Sequence, residues 1–161
     1  MSLRRLDVDR DGDEDVVYSD RKGDRRSVGW LENPGRVHDS DWKDHLIGGR
    51  DHEVMFLDIA AADGKLRIAC NTRDGCILDM TPTDDVRAPW KVNTIAHPPN
   101  AGAGKAVALV DINQNGRLDL VCTCGLAAGK FGVFWLEAPA PNVQKETALQ
   151  SWIFHLSLIH I

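Results

Sequence analysis

Short apolar runs of about six residues recur along the chain, each bounded by Gly, Pro, Asn or Asp. Val16 to Tyr18, Ile68 to Cys70 and Leu120 to Cys122 are three such runs, rich in β-branched and small residues. "SVGWLE", "GCILDM" and "GVFWLE" are three more. This is strand chemistry, because branched and aromatic side chains fit a pleated, half-buried surface. No segment sustains a 3.6-residue apolar period over helical length. The pattern predicts an all-β chain.

The runs also repeat in order. Aspartates at positions 7, 58 and 111 mark the same place in three units of about 50 residues, and tryptophans 42, 90 and 152 mark their last strand. Each unit carries an apolar run, a polar loop, a second run, a turn, a third run, a Pro-containing loop and a fourth run. Four short antiparallel strands per unit match a propeller blade. The expected fold is a β-propeller fragment of about three four-stranded antiparallel blades, at about 1–50, 51–100 and 101–155. A propeller closes with about four to eight blades, so a piece of a larger ring is expected. "LSLIHI" (Leu156 to Ile161) looks like a translated sequencing adapter and is set apart from the native fold.

The loop after the first run is crowded with acid. Between Asp7 and Asp15 stand six carboxylates: Asp7, Asp9, Asp11, Asp13, Glu14 and Asp15. Like charges this close disfavour ionisation unless water or a cation separates them. Asp7, Asp9 and Asp11 alternate, Gly12 permits a sharp turn, Asp13 can offer its carbonyl, and Asp15 can close a shell of hard oxygens. That donor set suits Ca2+. The third unit keeps the plan with Asp111, Asn113, Asn115, Gly116, the Arg117 carbonyl and Asp119; its two amides predict weaker binding. The middle unit reads "DIAAADGKLR": Ala60 and Ala62 stand at ligand positions, and Arg67 sits near the closing one. No metal is expected there, and Asp58 is expected to cap a turn. An EF-hand needs Glu at the twelfth loop position and flanking helices, but Tyr18 and Cys122 stand there, in apparent strands.

The D-x-D-x-D-G-x-x-D loop between strands, with "WLEN" and the later W-x-x-H, resembles the FG-GAP/VCBS repeat family over nearly all of Ser2 to His155. The resemblance implies a β-propeller, usually seven-bladed, with calcium in the loop joining the first two strands of a blade. It also implies an extracytoplasmic protein, secreted or periplasmic. Relatives of that kind include adhesins, integrin α chains and propellers attached to sugar lyases or dehydratases. The expected role is a calcium-stabilised binding or scaffold module for extracellular protein or glycan. The alternative is the propeller part of a carbohydrate-active enzyme whose catalytic part is missing or lies in the face loops.

Composition narrows this modestly. With 43% hydrophobic and 27% charged residues the chain should fold. A net charge of -5 argues against nucleic acid as partner. No apolar run is long enough to span a membrane, and the start carries no apolar signal-peptide core. Cys70, Cys76, Cys122 and Cys124 show no paired zinc-ligand spacing and are expected as small buried strand residues; a Cys70–Cys122 bridge is left open. "NAGAGKAV" lacks the Walker pattern, with Pro99 and Ala106 at the required Gly and Ser/Thr positions, and reads as a turn into a strand. No Ser/His/Asp or Cys/His pair can be placed, so no nucleophile is assigned.

His45 and His155 follow tryptophan by three residues, where the middle unit has Asn93, so they read as structural. The five tryptophans are expected to pack blade against blade. In a propeller, alternate loops emerge on opposite faces. Arg21, Lys22, Arg25, Arg26, Arg50, His52, Arg73, Lys105 and Lys130 would then gather opposite the calcium loops, where an anionic glycan or protein surface could dock.

Overall fold

The computed structural model describes residues 2–35, 41–62, 64–140 and 152–156. These form twelve strands and, among the described residues, no helix. The first antiparallel sheet contains β1 (Leu3–Leu6), β2 (Asp15–Ser19), β3 (Val28–Glu32) and β4 (Lys43–Gly48). The second contains β5 (Val54–Ala62), β6 (Lys65–Thr72), β7 (Cys76–Thr81) and β8 (Lys91–Ala96). The third contains β9 (Ala103–Val110), β10 (Asp119–Gly125), β11 (Val133–Glu137) and β12 (Ile153–Leu156). In every sheet, strands adjacent in sequence are adjacent in space. Leu156, set apart above with the tail, pairs with Phe134 as the last residue of β12, whereas 157–161 lie outside the described residues.

The period-two alternation of strand side chains explains the stacking. Ile68 and Cys70 on β6, with Leu78 and Met80 on β7, face the first sheet and join Val17, Val28, Trp30 and Ile47 in one core. Ala69 and Ile77 point the other way and join Leu109, Leu120, Phe134 and Leu136 in a second core. The middle sheet is thus buried on both faces, which explains the unbroken apolar runs of β6 and β7. Gly104 on β9 is required by this contact: a Cβ there would lie 2.1 Å from the Thr72 carbonyl of β6.

The outer faces are different. Trp135 and Val121 occupy in the third sheet the places of Trp30 and Val17 in the first. Trp30 and Val17 are fully buried by the middle sheet, but Trp135 and Val121 are only half-buried. Leu3 on the first sheet and Ile153 on the third are 63% and 55% exposed.

The tryptophan and Asp58 expectations need correction, and the open cysteine pairing is answered. Trp30 and Trp90 lie in the first inter-sheet core and Trp152 packs on the second, but Trp42 is exposed and Trp135 lies on an uncovered face. Cys70 and Cys122 belong to different cores on opposite faces of the middle sheet, and all four cysteines are free thiols. Asp58 caps no turn. It lies inside β5, and its Oδ2 accepts the Leu109 N–H of β9 at 2.9 Å, tying the second sheet to the third.

Two-sided burial predicts a steep contrast. Leu78→Ala should cost about 2–5 kcal/mol of unfolding free energy. Phe56→Ala, at an exposed position of β5, should cost far less. Urea titration followed by tryptophan fluorescence measures both.

Candidate metal centre

The loop between β1 and β2 is built by its own carboxylates. Asp7 leads. Its Oδ1 accepts the Asp11 N–H at 3.2 Å and its Oδ2 the Gly12 N–H at 3.2 Å. Asp9 Oδ1 also accepts from Asp11, and Asp11 Oδ1 accepts the Asp13 N–H. Asp15, at the start of β2, is buried. Its two oxygens accept the Val8 N–H and the Asn33 N–H, each at 2.8 Å, so it fastens the loop to the end of β3. Such an arrangement needs left-handed backbone at two points, Arg10 (φ 65°) and Gly12 (φ 100°).

The loop between β9 and β10 copies this bond for bond. Asp111 accepts from Asn115 at 3.0 Å and Gly116 at 2.7 Å. Asn113 accepts from Asn115, and Asn115 accepts from Arg117. Buried Asp119 accepts from Ile112 at 3.1 Å and from Ala138, just past β11, at 2.8 Å. Gln114 (φ 59°) and Gly116 (φ 82°) are the left-handed pair. Two sequences sharing few loop residues besides the aspartates and glycine adopt the same backbone.

The middle unit does not. There β5 and β6 run on as a continuous ladder, pairing Ala60 with Arg67 and Ala62 with Lys65. Alanines cannot hold the backbone N–H groups of a loop, so the ladder takes them instead. Arg67 turns to Asp79 at 2.6 Å and to the Leu118 carbonyl at 3.1 Å.

In the first loop Asp7, Asp9 and Asp15 each bring a carboxylate oxygen within 4.8 Å of the others. The Asp11 carboxylate stands outside that group, and Asp13 is expected to bind through its backbone carbonyl, which a grouping of side-chain oxygens does not include. Burial raises the Asp15 pKa, and the Asp9 and Asp11 charges raise it further against its two backbone hydrogen bonds. Each carboxylate oxygen has two lone pairs, and the backbone bonds occupy one of them. A cation at the focus of these three groups would meet unused lone pairs and relieve the repulsion.

One cation already touches the rim. Arg87, from the connection between β7 and β8, contacts Asp9 and donates to Glu32 at 2.9 and 3.2 Å. Glu32 also takes His45 at 2.6 Å, and His45 stacks on Trp30. The third sheet repeats the glutamate, histidine and tryptophan: Glu137 pairs with His155 at 3.0 Å and His155 stacks on Trp135, while the arginine, Arg117 at 3.5 Å, comes from that sheet's own loop. The Arg87 hydrogen bond, helped by that from His45, holds Glu32 down to about 2. Sequence spacing could not find Arg87, which lies 78 residues from Asp9.

At the other end, the cations expected to form a basic face are mixed with acids. Arg21 and Arg73 both approach Glu53, at 3.0 and 3.6 Å, and Arg25 contacts Asp44. His52 pairs with Asp74 at 2.7 Å. No family model, curated protein or solved structure matches the chain.

Glu32 sets a pH dependence. Its folded pKa lies below the ordinary 4.5, so its contribution is complete above that value and is lost as pH falls toward about 2. Glu32→Gln should destabilise the protein by about 1–3 kcal/mol at neutral pH. The difference from the parent should shrink as pH drops below 4.5, measured by denaturation at successive pH values.

Proposed function

We propose that this chain is part of a calcium-stabilised β-propeller that serves as a binding or scaffold module. The observation that carries the reading is the bond-for-bond identity of the two acidic loops, each anchored by a buried aspartate. A loop that keeps one backbone through such sequence change is held to a shape, and alternating oxygens around a left-handed glycine suit a hard cation. Asp7, Asp9, Asp11, the Asp13 carbonyl and Asp15 would hold one Ca2+. Asp111, Asn113, Asn115, the Arg117 carbonyl and Asp119 would hold a second, more weakly because two charges are missing.

The FG-GAP/VCBS resemblance agrees with this reading and extends it to an extracytoplasmic setting. The larger ring is supported by the outer sheets. Trp135 and Val121 would be covered by a further blade as Trp30 and Val17 are covered by the second sheet. The metal loops serve the frame, leaving the opposite face for recognition. There Lys22, Arg26 and Arg21 line a cleft of about 510 Å³ with Asp51, Glu53 and Asp74. An anionic glycan or protein surface is the partner class such cations would attract.

Calcium that binds only the folded state stabilises it by RT ln(1 + [Ca]/Kd), about 2.7 kcal/mol at a hundredfold excess over Kd. Chelator should therefore lower the melting temperature, and Asp9→Ala should blunt that response more than Asn113→Ala. A melting curve indifferent to chelator would sink the metal assignment. For the partner, glycan-array binding that survives Lys22→Ala and Arg26→Ala unchanged would count against this cleft as the docking site.

A further inference from the structure

A second cluster of metal-binding side chains lies away from the acidic loops. The β6–β7 hairpin turns at Arg73, Asp74 and Gly75, and Cys76 opens β7. The connection from β4 to β5 brings His52 against it. His52 Nδ1 lies 2.7 Å from Asp74 Oδ2 and 3.7 Å from Cys76 Sγ. All three donor atoms lie within 4.8 Å of one another.

The backbone beneath the group is fastened on both sides. The Arg73 N–H donates to the Glu53 carbonyl at 3.0 Å, fastening the hairpin to the connection. The fully buried Thr72 hydroxyl accepts the Cys76 N–H at 3.1 Å and lies 3.2 Å from its sulfur. Cys76 is buried, while the His52 and Asp74 side chains are 31% and 48% exposed, so one side opens to solvent.

Two chemistries could use a cysteine, a histidine and an aspartate. A nucleophilic triad needs the two imidazole nitrogens to serve different partners. Here a single nitrogen, Nδ1, faces both the thiol and the carboxylate. Burial also raises the Cys76 pKa, the opposite of an activated thiol. A metal has no such difficulty, since one cation replaces the proton shared among the three donors. Ligand bonds of about 2.0–2.3 Å at tetrahedral angles put neighbouring donors roughly 3.3–3.8 Å apart. The sulfur-to-nitrogen distance already falls there, and a small outward turn of exposed Asp74 would bring in the third.

We propose that His52 Nδ1, Asp74 and Cys76 Sγ form a three-ligand site for a borderline-soft divalent cation of the Zn2+ type. The fourth position is open to water. Sulfur and imidazole donors disfavour Ca2+ and select this class. Binding displaces the Cys76 thiol proton to solvent, so affinity falls as pH drops. The site is independent of the acidic loops and stands whether or not they hold calcium.

Co2+ is the probe, because a thiolate ligand gives it a near-ultraviolet charge-transfer band. Titrating the reduced, metal-free chain should produce that band with one-to-one stoichiometry, and Zn2+ should abolish it. The band should vanish in Cys76→Ser and persist in Cys124→Ser. Asp74→Asn and His52→Gln should each weaken binding about tenfold or more. These two side chains are partly exposed, so their variants decide the matter if Cys76→Ser fails to fold, with circular dichroism checking that they are native. No band in the parent chain, a band that survives Cys76→Ser, or unchanged affinity in both Asp74→Asn and His52→Gln would overturn the assignment.

Discussion

A buried carboxylate joins each acidic loop to the sheet beneath it. Asp15 and Asp119 are almost wholly withdrawn from water, which is costly for a charge unless it is hydrogen-bonded. Each meets that cost the same way, taking one backbone N–H from the start of its own loop and one from the end of the third strand. The loop entrance, the second strand and the exit of the third are thereby fixed to one point. The remaining acids can then be crowded around a turn whose backbone does not depend on their mutual repulsion. Where this anchor is missing, in the middle unit, the loop is missing too and the hairpin ladder runs through.

That anchor also separates two roles for charge at this end of the molecule. Asp15 and Asp119 hold the frame, whereas Asp7, Asp9, Asp111 and Asn113 face the turn. Arg87 links the two by reaching from the second sheet to both Asp9 and Glu32 of the first. On the proposed calcium reading, metal and guanidinium would share the Asp9 carboxylate, while Glu32 keeps Arg87 tied to the first sheet. The opposite end is chemically different, with sulfur and imidazole beside the carboxylate of Asp74.

The strands and their grouping were legible because they depend on local chemistry. Branched runs bounded by turn residues, repeated three times, needed no long-range information, and neither did the acidic alternation at Asp7 to Asp15. What local chemistry could not supply was direction. Asp58 looks like a turn cap from its neighbours, but the shortened loop drew it into a strand, where it meets Leu109 of the next sheet. Trp135 sits in the same motif as Trp30, yet its burial depends on a sheet that covers one and not the other. Arg87 and the pairing of His52 with Cys76 arise from connections that meet only after the sheets have stacked. Their sequence separations carry no periodic signal.

If the acidic loops hold calcium as proposed, two of the three units carry the metal and the middle unit, where a ladder replaces the loop, carries none. Anomalous diffraction from crystals grown with Ca2+ separates these three positions. A stronger peak is expected among Asp7, Asp9 and Asp15, a weaker one between Asp111 and Asp119, and none beside Ala60. Density maps without a peak in either acidic loop, or with one at the middle hairpin, would contradict the calcium reading.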